Sequence, residues 1–158
     1  MTARRPLDVE RLLTTLAQHK VRYLVVGGMA AILHGWPGAT ADFDLLGAFD
    51  KSNVARLAAA LRELGASGEG WDGKPGTIGA ATAWSLETDA GPVDLLFVLE
   101  PWGTYEELRP TAVEIPGFGI TIPVVSLDDL IALKRALGRP KDLRVAIELE
   151  DLRRERDR

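Results

Sequence analysis

The chain has 158 residues, no cysteine and a formal net charge of −4 with a pI near 5.2. That length suits one domain with a full hydrophobic core, so residues 1–158 read as a single unit. The acidic balance argues against tight non-specific nucleic-acid binding, which needs many Lys and Arg contacts. Without cysteine there is neither a disulfide framework nor a thiolate metal centre. No apolar run reaches the ~20 residues of a membrane span, and the N-terminus lacks a signal-peptide pattern. The expectation is a cytoplasmic protein with no membrane partner.

Val9, Leu12, Leu13, Leu16 and Ala17 recur at helical spacing and predict an amphipathic helix over 8–19, with Asp8 as its N-cap. A strand is predicted over 22–26 and a short apolar helix over 28–34, ended by Gly35 and Pro37. A strand over 42–47 follows. Asp50 is placed to cap a helix with the buried stripe Val54, Leu57, Ala58, Leu61 and Leu64. The glycine-rich stretch 65–81 reads as a long mobile loop near the functional site. Segments 84–88 and 92–98 predict a hairpin, 102–108 a short helix, and 112–122 a second hairpin turning at Pro116 and Gly117. Ser126, with Asp129 three positions on, starts a further helix. Pro140 opens the last one, and its mixed-charge tail over 153–158 is expected to fray.

Acid interrupts two of these strands. Asp42 and Asp44 flank Phe43, and Asp94 stands between Val93 and Leu95, where a buried strand would carry Val or Ile. Strand side chains alternate, so Asp42 and Asp44 share one face while Phe43 and Leu45 take the other. A buried, unpaired carboxylate is strongly destabilising or titrates to neutrality. Three acids on neighbouring strands make sense around hard divalent cations such as Mg2+, which prefer oxygen ligands. The competing reading is that they are ordinary turn and cap residues. Gly27 and Gly28, between a strand and a helix, allow backbone N–H groups to approach phosphate, or simply permit tight helix–sheet packing. They lack the third glycine of a dinucleotide fingerprint.

Lys134 lies on the apolar face of its helix between Leu127, Leu130 and Ile131. Its ammonium either snorkels to solvent or aims inward at the acids. With Arg135, Arg139, Lys141 and Arg144 it forms either a basic patch or a solvated surface. His34 reads as a packed or capping residue, and Trp36, Trp71, Trp84 and Trp102 as core or loop anchors rather than base-stacking surfaces.

In their order these elements resemble the DNA polymerase β-like nucleotidyltransferase superfamily. They are most similar to small bacterial nucleotidyltransferase-like proteins related to the abortive-infection toxin group. The matching stretches are Val26-Gly27-Gly28-Met29-Ala30, His34-Gly35, Pro37-Gly38-Ala39-Thr40-Ala41-Asp42-Phe43-Asp44, Leu130 to Lys134, and Gly138-Arg139-Pro140-Lys141-Asp142. Two positions depart from that pattern: Gly38, where such proteins usually carry Arg, and Val145, where many have a second acid.

The resemblance implies an α+β fold, a small mixed sheet flanked by helices with the C-terminal helices packed on it. It implies transfer of a nucleoside monophosphate from an NTP, ATP among them, to a tRNA, protein-hydroxyl or small-molecule acceptor. The cofactor would be Mg2+ (or Mn2+), and the setting a toxin–antitoxin pair with a cognate partner protein. Asp42, Asp44 and Asp94 would hold the metal ions and carry catalysis. Gly27, Gly28 and Thr40 would bind phosphate, and Lys134 would neutralise the triphosphate. Replacing Lys134 with Met is then expected to weaken NTP binding and leave stability almost untouched. The alternative is a non-catalytic regulatory or antitoxin module, for which the absence of Arg at Gly38 leaves room.

Overall fold

The computed structural model describes residues 4–158. Helix α1 (Val9–Gln18) begins where the Asp8 carboxylate accepts the Arg11 N–H, and it buries Leu12, Leu13 and Leu16. There follow β1 (Tyr23–Val26), α2 (Gly27–Leu33), β2 (Phe43–Gly47), α3 (Lys51–Glu63), α4 (Pro75–Ile78), β3 (Ala83–Thr88) and β4 (Gly91–Leu96). Then come α5 (Tyr105–Leu108), a 3-10 turn over Arg109–Thr111, β5 (Val113–Gly117), β6 (Ile120–Val124), α6 (Leu127–Leu137) and α7 (Pro140–Arg156). The strands form one six-stranded sheet in the order β3-β4-β2-β1-β6-β5. β2 runs parallel to β4 and β1 to β6, while the other neighbours are antiparallel. This is the mixed α+β architecture that the sequence predicts.

The central strands β1, β2 and β4 are apolar enough to be covered on both sides. Phe43, Leu45, Val93 and Leu95 join Leu57 and Leu61 of α3 in a core that also takes in Leu130 of α6 and Leu149 of α7. Of the C-terminal helices, α6 packs against α2 and α7 packs against α6. Asn53, fully buried near the start of α3, ties two strands together. Its side chain accepts the Arg22 N–H and donates to the carbonyls of Arg22 and Ala48. Among the described residues no helix is long and apolar enough to cross a membrane.

Three local expectations change. The stretch 65–81 contains α4, held by Asp72, whose carboxylate accepts the Lys74 N–H and the Thr77 hydroxyl. The second hairpin turns at Phe118 and Gly119, immediately beyond Pro116 and Gly117, which remain in β5. The charged tail is helical to Arg156, because Arg153 pairs with Asp128 and the Arg156 guanidinium donates to the His34 carbonyl.

Asn53→Ala should lower the free energy of unfolding by about 2–4 kcal/mol, since the Arg22 N–H and the Ala48 carbonyl lose their partner. Urea unfolding reads this directly, and a loss below about 1 kcal/mol would contradict the bridging role.

Candidate active site

Strand pairing decides where the acids fall. The parallel β2–β4 register sets Asp44 opposite Asp94, and the antiparallel β1–β2 register sets Asp44 opposite Val26. Asp44 therefore lies beside the point where β1 turns into α2. At that point Gly27 has a left-handed φ of +67°, and a Cβ on it would stand 2.2 Å from Asp44 Oδ2. A Cβ on Gly28 would stand 3.0 Å from Thr40 Oγ1. Gly27 is thus required by backbone conformation and by its close approach to Asp44, while a Cβ on Gly28 would be tight against Thr40. Asp42 lies between the bend at Ala41 and the start of β2 rather than in the strand itself. Thr40 Oγ1 donates to the Asp42 carbonyl at 3.3 Å and holds that bend.

Asp44 Oδ1 is buried without any hydrogen-bond partner. Burial first, then the charge and hydrogen bond of Asp94 and the charge of Asp42, push the Asp44 carboxyl up to about 7 against the opposing pull of Lys134. Asp42 Oδ1 instead lies 3.3 Å from the Arg4 guanidinium, which also pairs with Glu87. Among the described residues no three acidic or imidazole side chains already form a cage for a cation. The donor set nevertheless fits a hard divalent ion: an orphaned carboxylate oxygen, a second carboxylate in register and a third at the mouth.

The opposite wall is cationic. Lys134 is 15% exposed, with Nζ 3.5 Å from Asp142 Oδ1, and Asp142 itself is 1% exposed. Asp142 also takes Nε and Nη2 of Arg139 at 2.5 and 3.2 Å. The Arg139 hydrogen bonds, helped by Lys134, hold the Asp142 carboxyl below its ordinary range despite burial. Gly27, Gly28, Thr40, Asp42, Asp44, Asp94 and Lys134 all face one cleft of about 390 Å³, completed by Trp36, Ala39, Arg139, Lys141, Asp142 and Val145. The stretch 65–81 contributes nothing to that wall. Arg135 turns away to Glu150, so the basic run is part cleft and part surface. Two further hollows, about 340 and 360 Å³, flank Phe49 beyond the far end of β2 and lack the acid set.

Arg4 has no part in the sequence reading, Asp142 enters it only within the matching stretch Gly138 to Asp142, and Trp36 is read there as a core or loop anchor. Asp142 had a local signal, an acid in the first turn of a helix opened by Pro140. The placements of Arg4 and Trp36 depend on contacts with residues distant in sequence.

No protein-family model matches the chain, and no curated protein does. Solved structures supply the comparison. A lincosamide antibiotic adenylyltransferase, LnuA, bound to lincomycin superposes with a TM-score of 0.65 at 16% identity, covering 94% of this chain and 99% of that one. TM1012 of Thermotoga maritima, a provisional nucleotidyltransferase, gives 0.60 at 20% identity, covering 94% and 90%. The antibiotic-resistance factor ANT(2'')-Ia, in complex with adenylyl-2''-tobramycin, gives 0.57 at 16% identity, covering 95% and 97%. The chain has the nucleotidyltransferase fold.

Two predictions follow from the charges. Asp44 holds its proton to about pH 7 when folded but releases it near the ordinary 3.8 when unfolded. The folded state binds more protons between those limits, so this group removes stability as pH rises from about 4 to 7. In metal-free buffer the parent should lose more stability than Asp44→Asn across that window, read by denaturant unfolding; parallel pH profiles would contradict it. The structure also corrects the expectation for Lys134→Met. Because that change leaves buried Asp142 with Arg139 alone, it should cost about 1–3 kcal/mol of stability, and an unchanged melting temperature would return Lys134 to the snorkelling account.

Proposed function

We propose that the chain, acting as one domain over 1–158 in the cytoplasm, transfers a nucleoside monophosphate from an NTP to an acceptor hydroxyl. The observation that carries this reading is the register of Asp44 with Asp94 in a cleft whose facing wall is Lys134 and Arg139. Asp42, Asp44 and Asp94 would hold Mg2+ or Mn2+. Bound there, the ion supplies Lewis-acid neutralisation of phosphate charge and makes the acceptor hydroxyl more acidic.

The chain's own groups do the rest. Gly27 and Gly28 offer backbone N–H groups to phosphate oxygens at a place where a Cβ on Gly27 would collide with Asp44 and one on Gly28 would crowd Thr40. The Thr40 hydroxyl is available to a phosphate oxygen once it leaves the Asp42 carbonyl. Lys134 brings positive charge to the triphosphate, and Asp142 fixes where that ammonium stands. Asp94, at the rim with Asp44, is placed to take the acceptor proton. Phosphoryl-type transfers depend mainly on positioning and charge neutralisation, and this cleft supplies both.

The similar structures carry lincomycin in one case and an adenylylated tobramycin in another, and they have nearly the same extent as this chain. They favour a small-molecule hydroxyl acceptor over tRNA or a protein side chain. A cognate partner in a toxin–antitoxin pair stays secondary, and so does the non-catalytic module suggested by Gly38.

Thermal melts of the parent and Asp44→Asn, with and without Mg2+ plus ATP, test the proposal together with transfer from ATP labelled in the α-phosphate to aminoglycosides, lincosamides and cell extract. The parent should gain several degrees with ligand, because binding to the folded state alone stabilises it. Asp44→Asn should lose transfer by at least about 100-fold. Binding without transfer to any acceptor would favour the regulatory module. Neither binding nor transfer would sink the nucleotide reading altogether.

A further inference from the structure

We propose that the Trp36 indole is the nucleobase-stacking wall of this cleft, and that Gly38 is the residue that lets it stand there. The inference rests on the NTP reading above and deepens it by assigning the base a subsite. Gly38 has no left-handed φ, so its backbone does not demand glycine. The demand is for space. An added Cβ would lie 2.0, 2.2 and 2.3 Å from Cη2, Cζ2 and Cζ3 of Trp36, which places it over the six-membered ring, so Gly38 lies directly against one face of the indole. A side chain at 38 and the indole in this position exclude one another.

The pyrrole end of the ring is also held. The Trp36 indole N–H donates to Glu148 of α7 at 2.5 Å. Held by Gly38 on one face and by its N–H at the pyrrole end, the ring is half-buried against the core, and it lines the cleft together with Gly28, Thr40 and Lys134. Among the described residues lining that cleft, Trp36 is the only aromatic. The other groups suit other parts of the ligand: backbone N–H groups and cations suit phosphate, and carboxylates suit a metal. A nucleobase requires a flat apolar face, and a preorganised indole offers one to any base.

The test is calorimetric titration of the full chain with Mg–ATP and with Mg–tripolyphosphate, which has the phosphates but no base. Trp36→Ala should bind ATP about 10-fold more weakly and tripolyphosphate as the parent does, whereas Trp36→Phe should stay within about 3-fold of the parent for both. Gly38→Ala, which displaces the ring while keeping Trp36, should reproduce the ATP-specific loss. Equal weakening of both ligands in Trp36→Ala would show that the ring only braces the cleft, and overturn the inference. So would undiminished ATP binding, which would leave the nucleotidyltransferase reading standing. A parent that binds neither ligand would bring down that reading and this one together.

Discussion

Two carboxylates held side by side by a parallel strand register are the constraint on which the rest of this molecule depends. The β2–β4 ladder holds Asp44 beside Asp94, and the Gly27 backbone presses against the Asp44 carboxylate, whose Oδ1 is buried. Like charges in adjacent strands repel, and burial adds to the penalty, which is why the Asp44 carboxyl is pushed up to about 7. The neighbouring features all accommodate this pair. The glycines allow the β1–α2 turn to press against it, Lys134 brings a positive charge within its field, and Asp142 keeps that lysine from swinging out. Asn or an apolar residue at 44 would relieve that repulsion, so stability does not account for the acid.

Much of this was legible in the chain because the relevant periodicities are short. Alternation along β2 put Asp42 and Asp44 on one side, and the apolar followers of Asp94 marked a buried strand. Whether Gly27 and Gly28 served packing or phosphate could not be read locally. The structure shows packing against Asp44 and Thr40, which is also what leaves the adjacent backbone open to a ligand. A helical wheel placed Lys134 on the apolar face, but its partner sits in the first turn of the next helix, beyond the reach of any periodicity.

The departures have equally specific causes. Pro116 and Gly117 looked like a turn, yet β5 is an edge strand, where a proline without an N–H is tolerated. The tail over 153–158 had no local reason to be helical beyond its composition. Contacts from Arg153 to Asp128 and from Arg156 to His34 supply one. In 65–81, Pro75 at the head of a helical turn was a usable signal that the surrounding glycines obscured. Trp36 is the most instructive case, since nothing in Trp36-Pro37-Gly38 predicts that the ring folds back over the glycine and reaches Glu148.

The central claim is that these acids are a cation-binding catalytic set and not a buried accident of the sheet. The most direct measurement is a crystal structure of the protein grown with Mn2+ and a non-hydrolysable ATP analogue, with data collected for anomalous scattering from manganese. The expected result is manganese in contact with Asp42, Asp44 and Asp94, with Arg4 displaced from Asp42 and the triphosphate against Gly27 and Gly28. Manganese absent from those carboxylates while the analogue is bound, or the analogue seated elsewhere on the sheet, would contradict it.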